Sequence, residues 1–111
     1  MNFYEYQRHA LRTAKRVDQN FDLLHAALGV TGEAGEFADA IKKSAIYNKP
    51  LDKGNALEEL GDLLWYVALG CDALGVNMAE VAQQNVDKLR LRYPEKYTDA
   101  LASQRLDKEG E

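Results

Sequence analysis

Apolar positions recur along this chain at intervals of three and four, and nowhere alternate for long enough to make a convincing strand. Phe3, Tyr6, Ala10, Ala14 and Val17 line one face of a first predicted helix over about residues 2–16. Asp18, Gln19 and Asn20 interrupt the pattern, and Asp22 is the N-cap expected for a second helix that runs to about Tyr47. At roughly 26 residues that helix spans about 39 Å, more than the width of a small domain. The expectation is a bend or a break where Gly29, Gly32 and Gly35 cluster.

Asn48, Lys49, Pro50 and Leu51 form a linker, and Asp52 caps a third predicted helix that reaches Leu74. Gly75 stands where a helix-terminating glycine is expected. Asn77 followed three residues later by Glu80 gives a partial capping box for a fourth helix, from Met78 to about Tyr93, which Pro94 stops. Residues 97–104 are expected to add a short helix, and the charged stretch from Arg105 to Glu111 to fray. The prediction is a single all-α domain of four to five helices over residues 1–111, with its core at about 3–97 and a tail from 98 onward.

The polar residues on these helices are not evenly spread. Glu33 and Glu36 form one pair of carboxylates three residues apart, and Glu59 and Asp62 form another. Residues at that spacing share a helix face, so each pair aims two like charges in one direction. His25, Gly29, Glu33, Glu36, Ala40, Lys43 and Tyr47 fall on one stripe of the second helix, while Asp39 and Lys42 fall on solvated surface. Asn55, Glu59, Asp62 and Tyr66 make the matching stripe of the third helix, and Leu57, Leu60, Leu64, Val67 and Cys71 its core-facing arc. Such an apolar helix is expected to be buried, where a carboxylate is expensive unless a cation compensates it. A short connection favours antiparallel pairing, which brings all four carboxylates to one cavity. An all-oxygen cluster suits Mg2+ or Mn2+ rather than zinc. The competing structural reading makes both pairs surface acids that bridge to neighbouring lysines.

On the fourth helix Asn85, Lys88 and Arg92 share a face that borders the apolar arc of Met78, Val81, Ala82, Val86 and Leu89. An inward amide and an inward lysine need partners, which phosphate oxygens or the carboxylates would supply. The alternative is that Lys88 and Arg92 snorkel to water and Asn85 ties helices together.

Composition narrows the classes. The chain has 111 residues, 46% of them hydrophobic, enough for one packed core. A net charge of −4 and the lack of a basic block argue against a nucleic-acid partner. Its one cysteine, Cys71, lies in an apolar run and reads as a core residue of a reducing compartment. The N-terminus lacks the pattern of a signal peptide, and the longest apolar run is far short of the roughly 20 residues that span a bilayer. A soluble cytoplasmic protein without membrane contact is expected.

Glu33-Ala34-Gly35-Glu36 followed by Glu59-Leu60-Gly61-Asp62 resembles the paired acid motifs of the all-α nucleotide pyrophosphohydrolases, specifically the MazG-like branch. Asn85 to Lys88, then Arg92-Tyr93-Pro94, resembles that branch's downstream signature, and Tyr6-Gln7 with Thr13-Ala14 is similar to its shorter stand-alone members. The resemblance implies a MazG-like helical bundle that hydrolyses a nucleoside triphosphate to the monophosphate and pyrophosphate. It implies Mg2+, with Mn2+ as an alternative, held by Glu33, Glu36, Glu59 and Asp62, and phosphates held by Asn85, Lys88 and Arg92. Lys43, on the stripe of Glu36, is a further phosphate candidate. Phe3, Tyr6, Phe21, Trp65 and Tyr66 are candidates to stack on a base, and His25 to touch base or sugar, against core packing as the ordinary role of each. The exposed apolar surface of so small a unit, with the family's habit, predicts a homodimer or homotetramer. Two other functions fit the residues: phosphoribosyl-ATP pyrophosphohydrolase, and a non-catalytic helical oligomer that binds a nucleotide or a protein partner.

Overall fold

The computed structural model describes residues 1–94 and 97–105, and every regular element within them is helical. The chain falls into two compact units, Met1–Met78 and the segment from Ala79 onward. The first holds α1 (Phe3–Ala10), a 3-10 turn (Leu11–Thr13), α2 (Gln19–Ala45) and α3 (Lys53–Ala73). α4 (Met78–Arg92) starts at its edge, and α5 is Asp99–Gln104.

The first helix is shorter than its apolar spacing predicts. Asn2 caps it by accepting the Glu5 N–H at 2.8 Å. The Ala10 carbonyl is then taken by the Thr13 hydroxyl and by the Trp65 indole N–H, both at 2.9 Å. By Ala14 the backbone is extended, with ψ 132°. The cap of the next helix lies four residues earlier than expected. Asp18, read above as part of a break, is its N-cap and accepts the Phe21 N–H at 2.8 Å. Asp22, the expected cap, lies inside the helix and is buried. Its two oxygens accept from Arg16 Nε at 2.8 Å and from the Val17 N–H at 3.1 Å. Arg16 also reaches Asp72 of α3, with Nη1 2.6 Å from Oδ2. One arginine thus ties the start of α2 to the end of α3.

α2 runs uninterrupted for 27 residues, so the expected break at the glycines is absent. Each glycine costs a helix about 1 kcal/mol relative to alanine, and packing along α3 offsets that cost. Gly29 lies against Tyr66, and Gly70 of α3 against Ala26. Numbers therefore rise along one helix as they fall along the other, and the pair is antiparallel. Asp52 caps α3 as expected, accepting the Asn55 N–H at 3.0 Å. Gly75 ends it with φ +74°. Its N–H donates to Asp72 O and the Val76 N–H to Cys71 O, both at 2.9 Å, satisfying carbonyls that the helix leaves over.

The core of this unit is Ala68, Cys71 and Met78, with Tyr6, Ala10, Leu64, Val67 and Val76 packed around them. Cys71 is buried as expected, and burial pushes its thiol pKa up. Leu57 and Leu60, expected in the core arc, are instead 57% and 40% exposed. In the core cluster Tyr6 and Ala10 of α1 meet α3 at Leu64, Val67, Ala68 and Cys71, all beyond Leu57 and Leu60 along the helix.

In the second unit, Thr98 caps α5 by accepting the Leu101 N–H at 3.1 Å, so the short helix expected over 97–104 forms over 99–104. The Tyr93 and Tyr97 rings meet at 5.1 Å. Asn85 and Lys88, expected at the interior edge of α4, are exposed, as are Val81, Val86 and Leu89. The apolar arc of this helix is only about half covered, which leaves its borders in solvent. Of the stretch expected to fray, Arg105 adopts a left-handed conformation at the end of α5, and residues 106–111 lie outside the described residues.

Candidate functional site

Antiparallel pairing of α2 with α3 brings one acid from the first motif to two from the second. Glu33, Glu59 and Asp62 each offer a carboxylate oxygen within 4.8 Å of the others. Glu33 and Glu59 are half-buried and Asp62 is exposed, so the cluster opens to solvent on one side. Glu36, expected as a fourth member, is not among the three that meet and is exposed. The burial inferred from the apolar character of α3 is therefore only partial, and the cluster lies on the α2/α3 seam.

Its electrostatics are those of crowded like charges. The Glu59 carboxyl is hydrogen-bonded to Glu33, which raises its pKa above the ordinary carboxylate value. Loss of water around it and the negative charges of Glu33 and Asp62 act in the same direction. Three basic side chains of this unit are paired with other acids. Arg16 is held by Asp22 and Asp72, and Lys42 and Lys43 each lie 3.7 Å from Asp39. Lys43 thus stands in an exposed pair with Asp39, one turn before it on α2. Three converging carboxylate oxygens form a donor set that fits a hard divalent cation such as Mg2+ or Mn2+.

Below the acids the seam is closed by rings. Tyr66, one turn along α3 from Asp62, lies against Gly29, one turn before Glu33 on α2. His25 packs edge-on to Tyr66 at 5.6 Å and to Trp65 at 6.5 Å, with Phe21 tilted against it at 6.0 Å. Trp65 and Tyr66 are nearly perpendicular at 5.0 Å. These rings fill one another's faces, and Trp65 spends its N–H on Ala10 and Thr13. Trp65 therefore serves to pin the 3-10 turn to α3. The buried Nδ1 of His25 has no hydrogen-bond partner. Phe3 and Tyr6 line a separate apolar recess of about 420 Å³ with Met1, Asn2 and Leu64. Burial, and secondarily the charge of Asp62, raises the Tyr6 pKa.

Gln7 is a residue to which the sequence pattern gave no role of its own. It is buried, and its amide Nε2 donates to the carbonyls of Ala68 at 3.3 Å and Val76 at 3.2 Å. Its Oε1 accepts the Met78 N–H at 2.8 Å, at the first residue of α4. Its signal in the sequence is its place beside Tyr6 and Ala10 on the apolar face of α1.

Among the described residues, no helix is long and apolar enough to cross a membrane. The chain is 38% identical over 76 residues to the Gene 37 protein of Mycobacterium phage L5, a match covering 63% of this chain and 65% of that protein. The chain thus aligns with less than two thirds of that relative's length, and the relative's name carries no activity. No solved structure matches. The family model for the MazG nucleotide pyrophosphohydrolase domain matches residues 21–97, a span that contains both acid motifs and α4. With the paired acids assembled across the α2/α3 seam and most of its length matched, the chain belongs to the MazG nucleotide pyrophosphohydrolase domain family.

Proposed function

We propose that this chain is a Mg2+-dependent nucleoside triphosphate pyrophosphohydrolase that converts an NTP or dNTP and water to the monophosphate and pyrophosphate. The observation that carries the reading is the convergence of Glu33, Glu59 and Asp62 to within 4.8 Å. In this reading those three side chains hold the ion, or Mn2+ in its place, and Glu36, one turn beyond Glu33, completes the set. When bound, the metal neutralises charge on the phosphates and lowers the pKa of water. Asn85, Lys88 and Arg92 of α4, with Lys43, hold phosphate oxygens and orient the chain of the triphosphate. Water adds to the α-phosphorus, the bond from that phosphorus to the bridging oxygen breaks, and pyrophosphate leaves. A carboxylate of the cluster accepts the proton that the water gives up.

The exposed leucines Leu24, Leu28, Leu57 and Leu60 along both helices of the seam support a homodimer or homotetramer. The single cysteine and the acidic net charge fit a cytoplasmic enzyme that clears unwanted nucleotides from the pool. The test is product analysis by anion exchange after incubation with each common NTP and dNTP, with Mg2+ and with EDTA. Monophosphate plus pyrophosphate, formed only with metal, is the expected result. Diphosphate plus phosphate overturns the bond assignment, and turnover that persists in EDTA overturns the role of the acids.

A further inference from the structure

The apolar recess at the start of α1 borders the acid cluster along α3, and both lie within the unit Met1–Met78. Leu64 forms part of its wall and follows Asp62 by two residues, a rise of about 3 Å along the helix. Tyr6 lines it too and packs with Leu64 around the same core. The charge of Asp62 acts on the Tyr6 hydroxyl, so ring and acid are neighbours. Phe3, one turn before Tyr6 on α1, adds a second ring and is 43% exposed. A volume of about 420 Å³ with mostly apolar walls suits a small molecule, whose sites span about 300–1,000 Å³. A nucleoside triphosphate has two ends of unlike chemistry, an anionic chain that calls for a cation and a flat base whose faces are apolar. The carboxylates suit the first and offer nothing to the second. His25, Trp65 and Tyr66 already spend their faces and edges on one another. Among the described residues, Phe3 and Tyr6 make no ring-to-ring contact, so their faces are unspent.

We propose that this recess is the base subsite: the base of the substrate packs on the rings of Phe3 and Tyr6 beside Leu64, while its phosphate chain reaches the ion at Glu33, Glu59 and Asp62. This rests on the function proposed above. The subsite holds the base by its faces, so loss of a ring weakens the grip on a nucleotide and leaves the grip on a bare phosphate chain intact. A second copy of this chain seated in the recess is the competing occupant, and the experiment separates the two.

The experiment compares Phe3→Ala, which removes a stacking face, with Phe3→Tyr, which keeps it. Tyr4→Ala is the matched control, since Tyr4 is the adjacent ring on α1, is 49% exposed, and lines a different recess with Gln7 and Arg8. With Mg2+ present, KM is measured for the best nucleoside triphosphate and the inhibition constant for inorganic tripolyphosphate, which has no base, and the mass of each variant is read by sedimentation. The expected result for Phe3→Ala is a KM raised about fivefold or more, the usual scale for losing a ring under a base. Its tripolyphosphate inhibition should change less than about twofold and its mass should match the wild type. Phe3→Tyr and Tyr4→Ala should keep the wild-type KM. An unchanged KM in Phe3→Ala, an equal rise in Phe3→Tyr or Tyr4→Ala, a parallel weakening of tripolyphosphate, or a change of mass overturns the subsite. If Phe3→Ala does not fold, the wild type decides: with the α,β-imido analogue of that nucleotide and Mg2+, nuclear Overhauser contacts between the base protons and the Leu64 methyl groups are expected, and their absence overturns the subsite. A wild-type chain that turns over no triphosphate overturns the functional reading itself, and this subsite with it, whereas active wild type with indifferent Phe3 variants overturns the subsite alone.

Discussion

The ring of Tyr66 lies so close to the backbone of Gly29 that a Cβ at residue 29 would stand 2.1 Å from its Cδ1. This is the contact that lets α2 and α3 approach just below the acids. Gly29→Ala should therefore lower stability despite the better helix propensity of alanine, since overpacking costs about 1–3 kcal/mol and propensity returns about 1. Thermal unfolding with and without Mn2+ is the check, and a rise in midpoint would show that Tyr66 has room to move.

Gly32, Gly35 and Gly61 give the opposite expectation. A Cβ at any of them meets nothing within 4 Å. Alanine at each should raise stability by up to about 1 kcal/mol. Denaturant unfolding reads this, and a loss of stability at any one would place a neighbour there that a single protomer does not contain.

Removing charge from the cluster should separate function from stability. Glu33→Gln, Glu59→Gln and Asp62→Asn should each lower hydrolysis by on the order of a hundredfold or more, because the ion supplies several kcal/mol of transition-state stabilisation. Each should also raise the unfolding midpoint of the metal-free protein, by relieving repulsion. Glu36→Gln, exposed and outside the trio, should leave that midpoint nearly unchanged while still lowering activity. An equal effect of all four on metal-free stability would place Glu36 in the same crowded group.

Two carboxylates give pH dependences of opposite sign. The pKa of Glu59 is raised in the folded state above the ordinary 4.5, so the folded chain binds its proton more tightly than the unfolded one. Its contribution is most favourable below 4.5 and is lost as pH rises through the raised value. Asp22 is lowered from 3.8, chiefly by its hydrogen bond from Arg16. Its contribution is present above 3.8 and is lost as pH falls through the lowered value. Unfolding midpoints without metal should lose the first trend, above 4.5, in Glu59→Gln and the second, below 3.8, in Asp22→Asn. Saturating Mg2+ should also suppress the first, and a trend that survives both Glu59→Gln and Mg2+ would belong to other groups.

Arg16 bridges Asp22 and Asp72. Arg16→Leu takes from the buried Asp22 carboxylate its charged partner and leaves it the Val17 N–H, whereas Asp72→Asn leaves the arginine its buried partner. The arginine variant should lose more in thermal midpoint than the Asp72 variant. The reverse order would mean that the link to α3 outweighs the shelter of Asp22.

Much of this protein is written in local signals. Apolar spacing of three and four, Asp52 before α3 and Gly75 after it sufficed to place α3 and α4 within a residue or two, because caps and helical periodicity act over one or two turns. That Glu33, Glu59 and Asp62 come together was legible because motif spacing and a short connector leave antiparallel pairing as the compact solution. Where the sequence misled, a distant partner decided. Asp18 and Asp22 are both good caps locally, and Arg16 with Asp72 fixed which one became a buried anchor. The end of α1 was set by the Trp65 indole, and the uninterrupted run of α2 by packing that outweighs its glycines. Glu36 is not among the three acids that meet, since adjacency to Glu33 on one helix does not fix distance to another. The cap that Gln7 places on α4 had no local trace beyond a polar residue on an apolar face. Propensity and periodicity are properties of a segment, whereas a hydrogen bond between residues 7 and 78 exists only once α1, α3 and the turn before α4 have been brought together.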